Sequence, residues 1–463
     1  MATTVKYNSP FTCDEISLAQ AELDRTASTG LVEGHAVTQS VKSPRTWLCL
    51  FERFCRRMLR SNLKRIASGE IVLEYAGKSE RFGDLETNEL MGHVQALSPR
   101  FFRTLVTRGA LGAAESYLDG EWVSDDLTDL FRVLLRNETV LQSFRSPLTM
   151  LSRAMNRLRH FRNRNSRDGS RRNIHEHYDL GNSFFSLFLD PTMMYSSALF
   201  PSEQASLEEA SLEKVDRVCR TLQLSPEDHV LEIGTGWGTF AIHAARKYGC
   251  RVTTTTISEE QYRMATQRVQ DEGFSDRITI LKQDYRDLEG QYDKLVSIEM
   301  IEAVGQEYLP EYFATCDRLL KENGAMMIQV ITMPEQRYER YRNSVDFIQK
   351  YIFPGGFLPS VSVMQDCIAK RTSMRMIELM DFGMHYARTL RLWNERFHER
   401  LDEVRALGFD DRFIRMWRYY LCYCEAAFLE RAIGVCQVMW AKPGYVFESY
   451  PSSRGSRPGK RTS

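Results

Sequence analysis

The stretch Val230-Leu-Glu-Ile-Gly-Thr-Gly-Trp-Gly238 constrains this chain more than any other. An apolar run breaks into three glycines at alternate positions, and a helix-forming stretch, 239–247, follows. That is a strand, a tight turn and a helix, the opening unit of a parallel α/β sheet. The pattern repeats downstream: runs at 229–233, 251–255, 278–281, 294–298 and 325–331 are strand candidates, most of them separated by helical stretches. From about residue 210 the chain is expected to form a doubly wound sheet. Two later runs, at 374–379 and 435–440, are further strand candidates, and an aromatic-rich insertion occupies 332–365.

The glycine spacing also bears on the ligand. Glycines at 234, 236 and 238 let the backbone turn sharply and approach a ligand closely. The helix N-terminus behind them offers N–H groups to an anion. A nicotinamide site would ask for G-x-G-x-x-G, whereas the spacing here is G-x-G-x-G. That suits S-adenosylmethionine (SAM), whose carboxylate would meet the turn. The second strand ends in Thr256-Ile-Ser-Glu-Glu-Gln261, where ribose contacts are expected, and the third in Gln283-Asp284-Tyr285, where an acid can accept the adenine amine. In this order the segments predict a class I methyltransferase, Rossmann-like sheet.

Upstream, 47–66 places apolar residues at helical spacing beside an arginine-rich face, the pattern of a helix at a membrane surface or of one packed on its own domain. Residues 71–75, Gly77 and a polar return predict a hairpin, and 103–114 and 126–136 predict helices. Together 46–145 are expected to form a small α+β domain. Residues 1–45 and 446–463 are expected to be disordered or loosely packed. Residues 146–174 are expected to form a linker, with eight arginines against one acid between Arg153 and Arg172. The methyltransferase domain is placed at 175–445.

Charge and cysteines narrow the class. Lysines plus arginines equal aspartates plus glutamates, 61 each, which argues against a nucleic-acid binder. The local basic clusters suit an anionic lipid surface. Ten cysteines form no CxxC pair, so no metal site is expected and the thiols are expected to be reduced, as in a cytoplasmic protein. No signal peptide and no membrane-spanning run is expected.

Several ordered motifs carry a family resemblance: His177-Tyr-Asp-Leu-Gly-Asn182, Leu189-Asp-Pro-Thr-Met-Met-Tyr-Ser-Ser197, Gln283-Asp-Tyr-Arg-Asp287, Glu299-Met-Ile-Glu-Ala-Val-Gly305, Lys350-Tyr-Ile-Phe-Pro-Gly-Gly356, Leu358-Pro-Ser360 and Tyr419-Tyr-Leu-Cys-Tyr-Cys-Glu425. From about 175 to 442 the chain resembles the cyclopropane-fatty-acyl-phospholipid and mycolic acid cyclopropane synthases, and 70–136 resembles the lipid-facing N-terminal domain of the phospholipid enzymes.

The resemblance implies methyl transfer from SAM to a cis double bond of an unsaturated phospholipid acyl chain, by an enzyme peripheral to the membrane, and is compatible with a homodimer. It implies cofactor contacts at Tyr195, Ser196, Glu232, Gly234, Gly236, Gly238, Thr256, Ser258, Gln261, Asp284, Tyr285 and Arg286. It implies that Glu302, Tyr386, Cys424 and the Ile331 backbone surround a bicarbonate ion that takes the proton, with Gln329 in the same site. Phe347, Tyr351, Phe353 and Phe357 are expected to line an acyl slot. Three positions depart from the pattern: Ser197 stands where the synthases have Cys, Gln329 where they have His, and Ala303 where His often follows the Glu. These put the bicarbonate base and ring closure in doubt, with His385 or Glu425 as substitute bases. The competing readings are a methyltransferase of a soluble metabolite and a non-catalytic lipid-binding relative.

Overall fold

Residues 44–84, 90–143 and 180–446 are described by the computed structural model. Most of the expected disordered ends and all of the arginine-rich linker, 146–174, lie outside them. The described residues from Phe51 onward form one compact unit.

The chain enters through α1 (Pro44–Leu63). Cys55, Leu59 and Leu63 bury one face at helical spacing, while Arg53, Phe54 and Arg57 stay exposed. β1 (Gly69–Tyr75) and β2 (Lys78–Asp84) form the expected hairpin. Its two turn residues, Ala76 and Gly77, have φ of 51° and 74°, the left-handed pair a two-residue hairpin needs. β3 (Met91–Ala96) and β4 (Trp122–Val123), which sequence reading did not anticipate, complete a sheet of order β2-β1-β3-β4. α2 (Arg100–Leu118) and α3 (Leu127–Arg136) pack with it. Asp126 caps α3 by accepting from the Asp129 N–H.

The second sheet has seven strands: β5 (His229–Ile233), β6 (Arg251–Thr256), β7 (Ile278–Lys282), β8 (Tyr292–Ile298), β9 (Leu320–Thr332), β10 (Arg375–Asp381) and β11 (Gly434–Ala441). Their order is β10-β11-β9-β8-β5-β6-β7. β5 through β9 run parallel, and β11 runs antiparallel between β9 and β10. The central strands are apolar on both sides because helices cover both faces. The expected doubly wound sheet is present, with all seven expected strands within it. Chain order reverses between β5 and β8, and the crevice beyond the carboxyl ends of strands at such a point is where α/β sheets hold ligands.

α4 (Leu207–Thr221) begins at a reciprocal cap between Ser206 and Glu209. α5 (Thr239–Tyr248) follows the glycine turn, and α6 (Glu259–Asp271) is capped by Ser258. The insertion carries α7 (Glu335–Tyr341) and α8 (Phe347–Tyr351). α9 (Gly383–Glu399) and α10 (Asp411–Leu429) close the fold over an aromatic core in which Trp393, Trp417, Phe184 and Phe188 are at most 1% exposed. Truncating one such ring to alanine would cost ~3–5 kcal/mol, so this core fixes where α9 and α10 present their cavity-facing residues.

Candidate active site

A cavity of about 490 Å³ opens at the carboxyl ends of β5 and β8. Gly234 and Gly236 line it, with φ of 102° and 53°. A Cβ built on Gly236 would meet nothing within 4 Å. The Gly234 and Thr235 N–H groups donate to Thr255 O at 3.0 Å, pinning the turn to β6. Gly238 caps α5 instead of lining the cavity, and its missing side chain lets the turn approach Ala265. Ser258 likewise serves α6, accepting from the Gln261 N–H, and stays out of the cavity wall. These two expected contacts are therefore corrected to scaffold roles.

The other expected cofactor residues all line the cavity: Tyr195, Ser196, Glu232, Thr256, Gln261, Asp284, Tyr285 and Arg286. Arg286 grips both oxygens of Asp284, at 2.8 and 2.7 Å. Glu232 is 3% exposed and accepts from Thr254 Oγ1 at 2.6 Å. Burial pushes its carboxyl up to about 8, with Thr254 and Lys214 opposing the rise, so a further cation beside it would favour its charged form. SAM carries an ammonium and a sulfonium, so this buried acid and the open Gly236 turn both fit it. Behind the wall, Lys214 is fully buried and donates to Ser196 Oγ at 2.7 Å. Burial lowers its ammonium to about 8, while Glu299, Asp190 and Glu232 pull the other way.

Of the four expected catalytic residues, Glu302, Tyr386 and Cys424 line the same cavity. Gln329 does not: it sits on β9, wholly buried, behind the wall. What it touches is a residue that sequence reading passed over. Glu299 closes β8 with φ of 47°, a left-handed conformation costly for a residue with a side chain. Its Oε1 accepts from Ser197 N at 2.9 Å and Gln329 Nε2 at 2.7 Å, and its Oε2 from Tyr386 Oη at 2.7 Å. Burial raises its carboxyl, and Lys214, Gln329, Tyr386 and Ser197 oppose that rise. A carboxylate ringed by three donors is satisfied in its ionised form.

Glu302, three residues on, has fewer partners. Its Oε1 accepts from Ile331 N at 2.6 Å, while its Oε2 is buried without a partner. Burial, then the neighbouring Glu299 charge, pushes it up to about 8. Burial pushes both acids up; they differ in their partners, three donors opposing the rise at Glu299 against a single backbone N–H on the Glu302 side chain. This geometry also settles the bicarbonate expectation. The Ser197, Gln329 and Tyr386 donors meet the Glu299 carboxylate, and Ile331 N meets Glu302. The residues present do not fit a resident bicarbonate ion.

Other expectations change as well. Phe353 and Phe357 line the cavity, but Phe347 packs on Tyr419 at 4.5 Å and Tyr351 donates to Glu115 of α2 at 3.0 Å. His385 accepts from Phe200 N through Nδ1, and Glu425 accepts from Thr128 Oγ1; neither reaches the cavity, so neither is a substitute base. Cys424 lines the cavity, yet burial pushes its thiol far up, which excludes a thiolate nucleophile.

Glu302 carries a pH prediction. Its folded-state carboxyl lies near 8, above the ~4.3 of an unfolded chain. Folding therefore favours the protonated form, and that contribution is complete below about pH 4 and lost as pH rises through 8. Glu302→Gln has no such proton to lose. Its melting temperature relative to wild type should rise between pH 5 and 8 by calorimetry; a pH-independent difference would contradict the protonated assignment.

The chain was then compared with known proteins. Residues 165–438 match the family model described as mycolic acid cyclopropane synthetase. The chain belongs to that family. A tuberculostearic acid methyltransferase of Mycobacterium tuberculosis is 44% identical over 346 residues, covering 72% of this chain and 79% of the relative. The cyclopropane-fatty-acyl-phospholipid synthase of Escherichia coli K12 is 38% identical over 352 residues, covering 75% and 87%. Among solved structures, the cyclopropane synthase MmaA2 of M. tuberculosis superposes with a TM-score of 0.55 at 29% identity, over 59% of this chain and 98% of that one. The mycolic acid cyclopropane synthase CmaA1 complexed with SAH and CTAB gives a TM-score of 0.55 at 31% identity, over 59% and 98%. This family member is accordingly a SAM-dependent methyltransferase of the cyclopropane synthase type, with a class I methyltransferase fold. No helix among the described residues is long and apolar enough to cross a membrane.

Proposed function

We propose that this enzyme transfers the methyl carbon of SAM to the double bond of an unsaturated acyl chain in a membrane phospholipid, and that Glu299 takes up the proton released. The observation that carries this reading is one cavity joining the Gly236 turn, apolar and aromatic walls, and the Glu299 carboxyl with three donors on it. Bound SAM supplies an electrophilic methyl group. Phe353, Phe357, Leu390 and Phe428 give that cavity an oily wall that suits a hydrocarbon tail and keeps water out. The rings of Tyr386 and Tyr420 present faces and hydroxyls where a carbocation develops on the acyl chain; a desolvated cation over a ring gains ~2 kcal/mol. The cation then loses a proton to Glu299. Loss from the new methyl group closes a cyclopropane ring, and loss from a chain carbon leaves a methyl-branched alkene.

The same reading places the enzyme on the inner face of the membrane as a peripheral protein. Helix α1 supports this: Arg53, Arg57 and Phe54 are exposed, with Phe54 at 53%, beside a buried apolar face. The basic face suits an anionic leaflet.

The test uses the purified chain, methyl-labelled SAM, and vesicles containing anionic lipid with monounsaturated chains. Sedimentation with the vesicles and label in the extracted phospholipid are expected. Vesicle binding without label would favour a non-catalytic lipid-binding relative. Label only in a water-soluble acceptor would favour the soluble-metabolite reading.

A further inference from the structure

Glu299 accepts from Gln329, and that amide can face it either way round: an NH₂ group supports a carboxylate, a carbonyl oxygen opposes it. The Ser197 carbonyl, which accepts from the same Nε2 at 3.3 Å, favours the donor orientation from one side, and a chain of contacts leading away from the cavity favours it from the other. Gln329 on β9 and Gln437 on β11 are register partners, 0% and 1% exposed. Gln437 Nε2 donates to Gln329 Oε1 at 3.0 Å. Gln437 Oε1 in turn accepts from Nη1 of Arg217, on α4, whose Nη2 pairs with Glu378 on β10. A guanidinium has donors and no acceptor. Whatever faces Arg217 must therefore present oxygen, so Gln437 must turn its NH₂ toward Gln329, and Gln329 its NH₂ toward Glu299. The polarity is handed across two buried amides.

We propose that Arg217 is a positioning residue for the reaction: by orienting Gln437 and through it Gln329, it dictates that a donor faces the Glu299 carboxylate. This rests on the reading of Glu299 as the base. Arg217 reaches no cavity atom, so its action is indirect. Around Glu299 the other charged or titratable groups are Lys214 from α4, Tyr386 from α9 and Glu302 from its own turn; none of them depends on the amide orientation. Without Arg217 the Gln437 amide is free to turn its oxygen toward Gln329 Oε1; Gln329, held on its other side by Ser197 O alone, is then pushed off the carboxylate or flipped, and the protonated form of Glu299 gains ground.

The experiment is the pH dependence of kcat for the full chain, with methyl-labelled SAM and vesicles of oleoyl phosphatidylglycerol. Arg217→Met is expected to move the acid limb upward by about one pH unit, a ~tenfold loss on the limb, while the alkaline plateau stays within ~twofold and SAM affinity is unchanged. Gln437→Met, which cuts the chain one link nearer while keeping side-chain bulk, is expected to give the same shift and stands in should Arg217→Met fail to fold. A folded variant with the wild-type limb would overturn the assignment. Glu299→Gln, measured alongside, separates the two claims. If it keeps wild-type turnover, the base reading fails. If it is inactive while Arg217→Met keeps the wild-type limb, the Arg217 proposal alone is lost.

Discussion

Replacing Glu299 by glycine is expected to lower turnover by ~10²–10⁴-fold, the usual contribution of a positioned base, and to make the enzyme responsive to added bicarbonate or formate. The substitution leaves the three donors Ser197 N, Gln329 Nε2 and Tyr386 Oη in place around an emptied carboxylate site. A small oxyanion then has the hydrogen-bond partners that the native side chain occupies. The backbone should not suffer. Glu299 has φ of 47°, where glycine relieves ~1 kcal/mol of strain and so offsets part of the cost of the donors left unpaired; the variant is expected to fold, with a melting temperature raised by the added anion. Initial rates with and without millimolar anion check the claim. Wild-type turnover by Glu299→Gly in anion-free buffer would refute Glu299 as the base.

Gly236→Val is the second large effect. Gly236 has φ of 53° and a Cβ there would project into open cavity. A branched side chain at that φ is strained, and its methyls would fill the space left for the methionine part of SAM. A loss of SAM affinity of at least ~100-fold is expected by calorimetry. Because the Cβ meets no protein atom within 4 Å and points into cavity, the fold should survive, with an unchanged far-ultraviolet spectrum. Affinity within ~threefold of wild type would place the cofactor elsewhere.

Much of the sheet was legible because its strands are buried on both faces and so appear as unbroken apolar or β-branched runs. The small sheet was half legible. Met91–Ala96 mixes Gly92, His93 and Gln95 into its alternation, and its burial comes from α3, against which Gly92 packs so tightly that a Cβ would lie 2.8 Å from Leu130 Cα. No local pattern encodes that contact. Motif order brought most of the residues expected at the cofactor to one cavity wall; Gly238 and Ser258, whose types suit both ligand contact and helix capping, stand at helix caps.

Glu299 was missed for a different reason. Its sequence signal was present, two acids three apart in Glu299-Met-Ile-Glu302 after a strand, but the resemblance drew weight to Glu302. What distinguishes the two acids is which donors meet them, and those come from residues 197, 329 and 386, far apart in the chain. The departure at Gln329 makes sense beside that carboxylate, since it supplies an amide donor without bringing a second titrating group to Glu299. Ser197 meets the carboxylate only through its backbone N–H while its hydroxyl donates to Ala198 O, so nothing in the structure explains its side chain. The aromatic insertion shows the same limit, since Tyr351 turns to Glu115 of the N-terminal sheet domain and not to the cavity.

The measurement that bears most directly on the cavity as the place of methyl transfer is mass spectrometry of phospholipids from a host expressing either the wild-type chain or Gly236→Val. Monounsaturated acyl chains that gain the mass of one CH₂ with the wild type alone are the expected result. No gain with the wild type, or an equal gain with the variant, would contradict it.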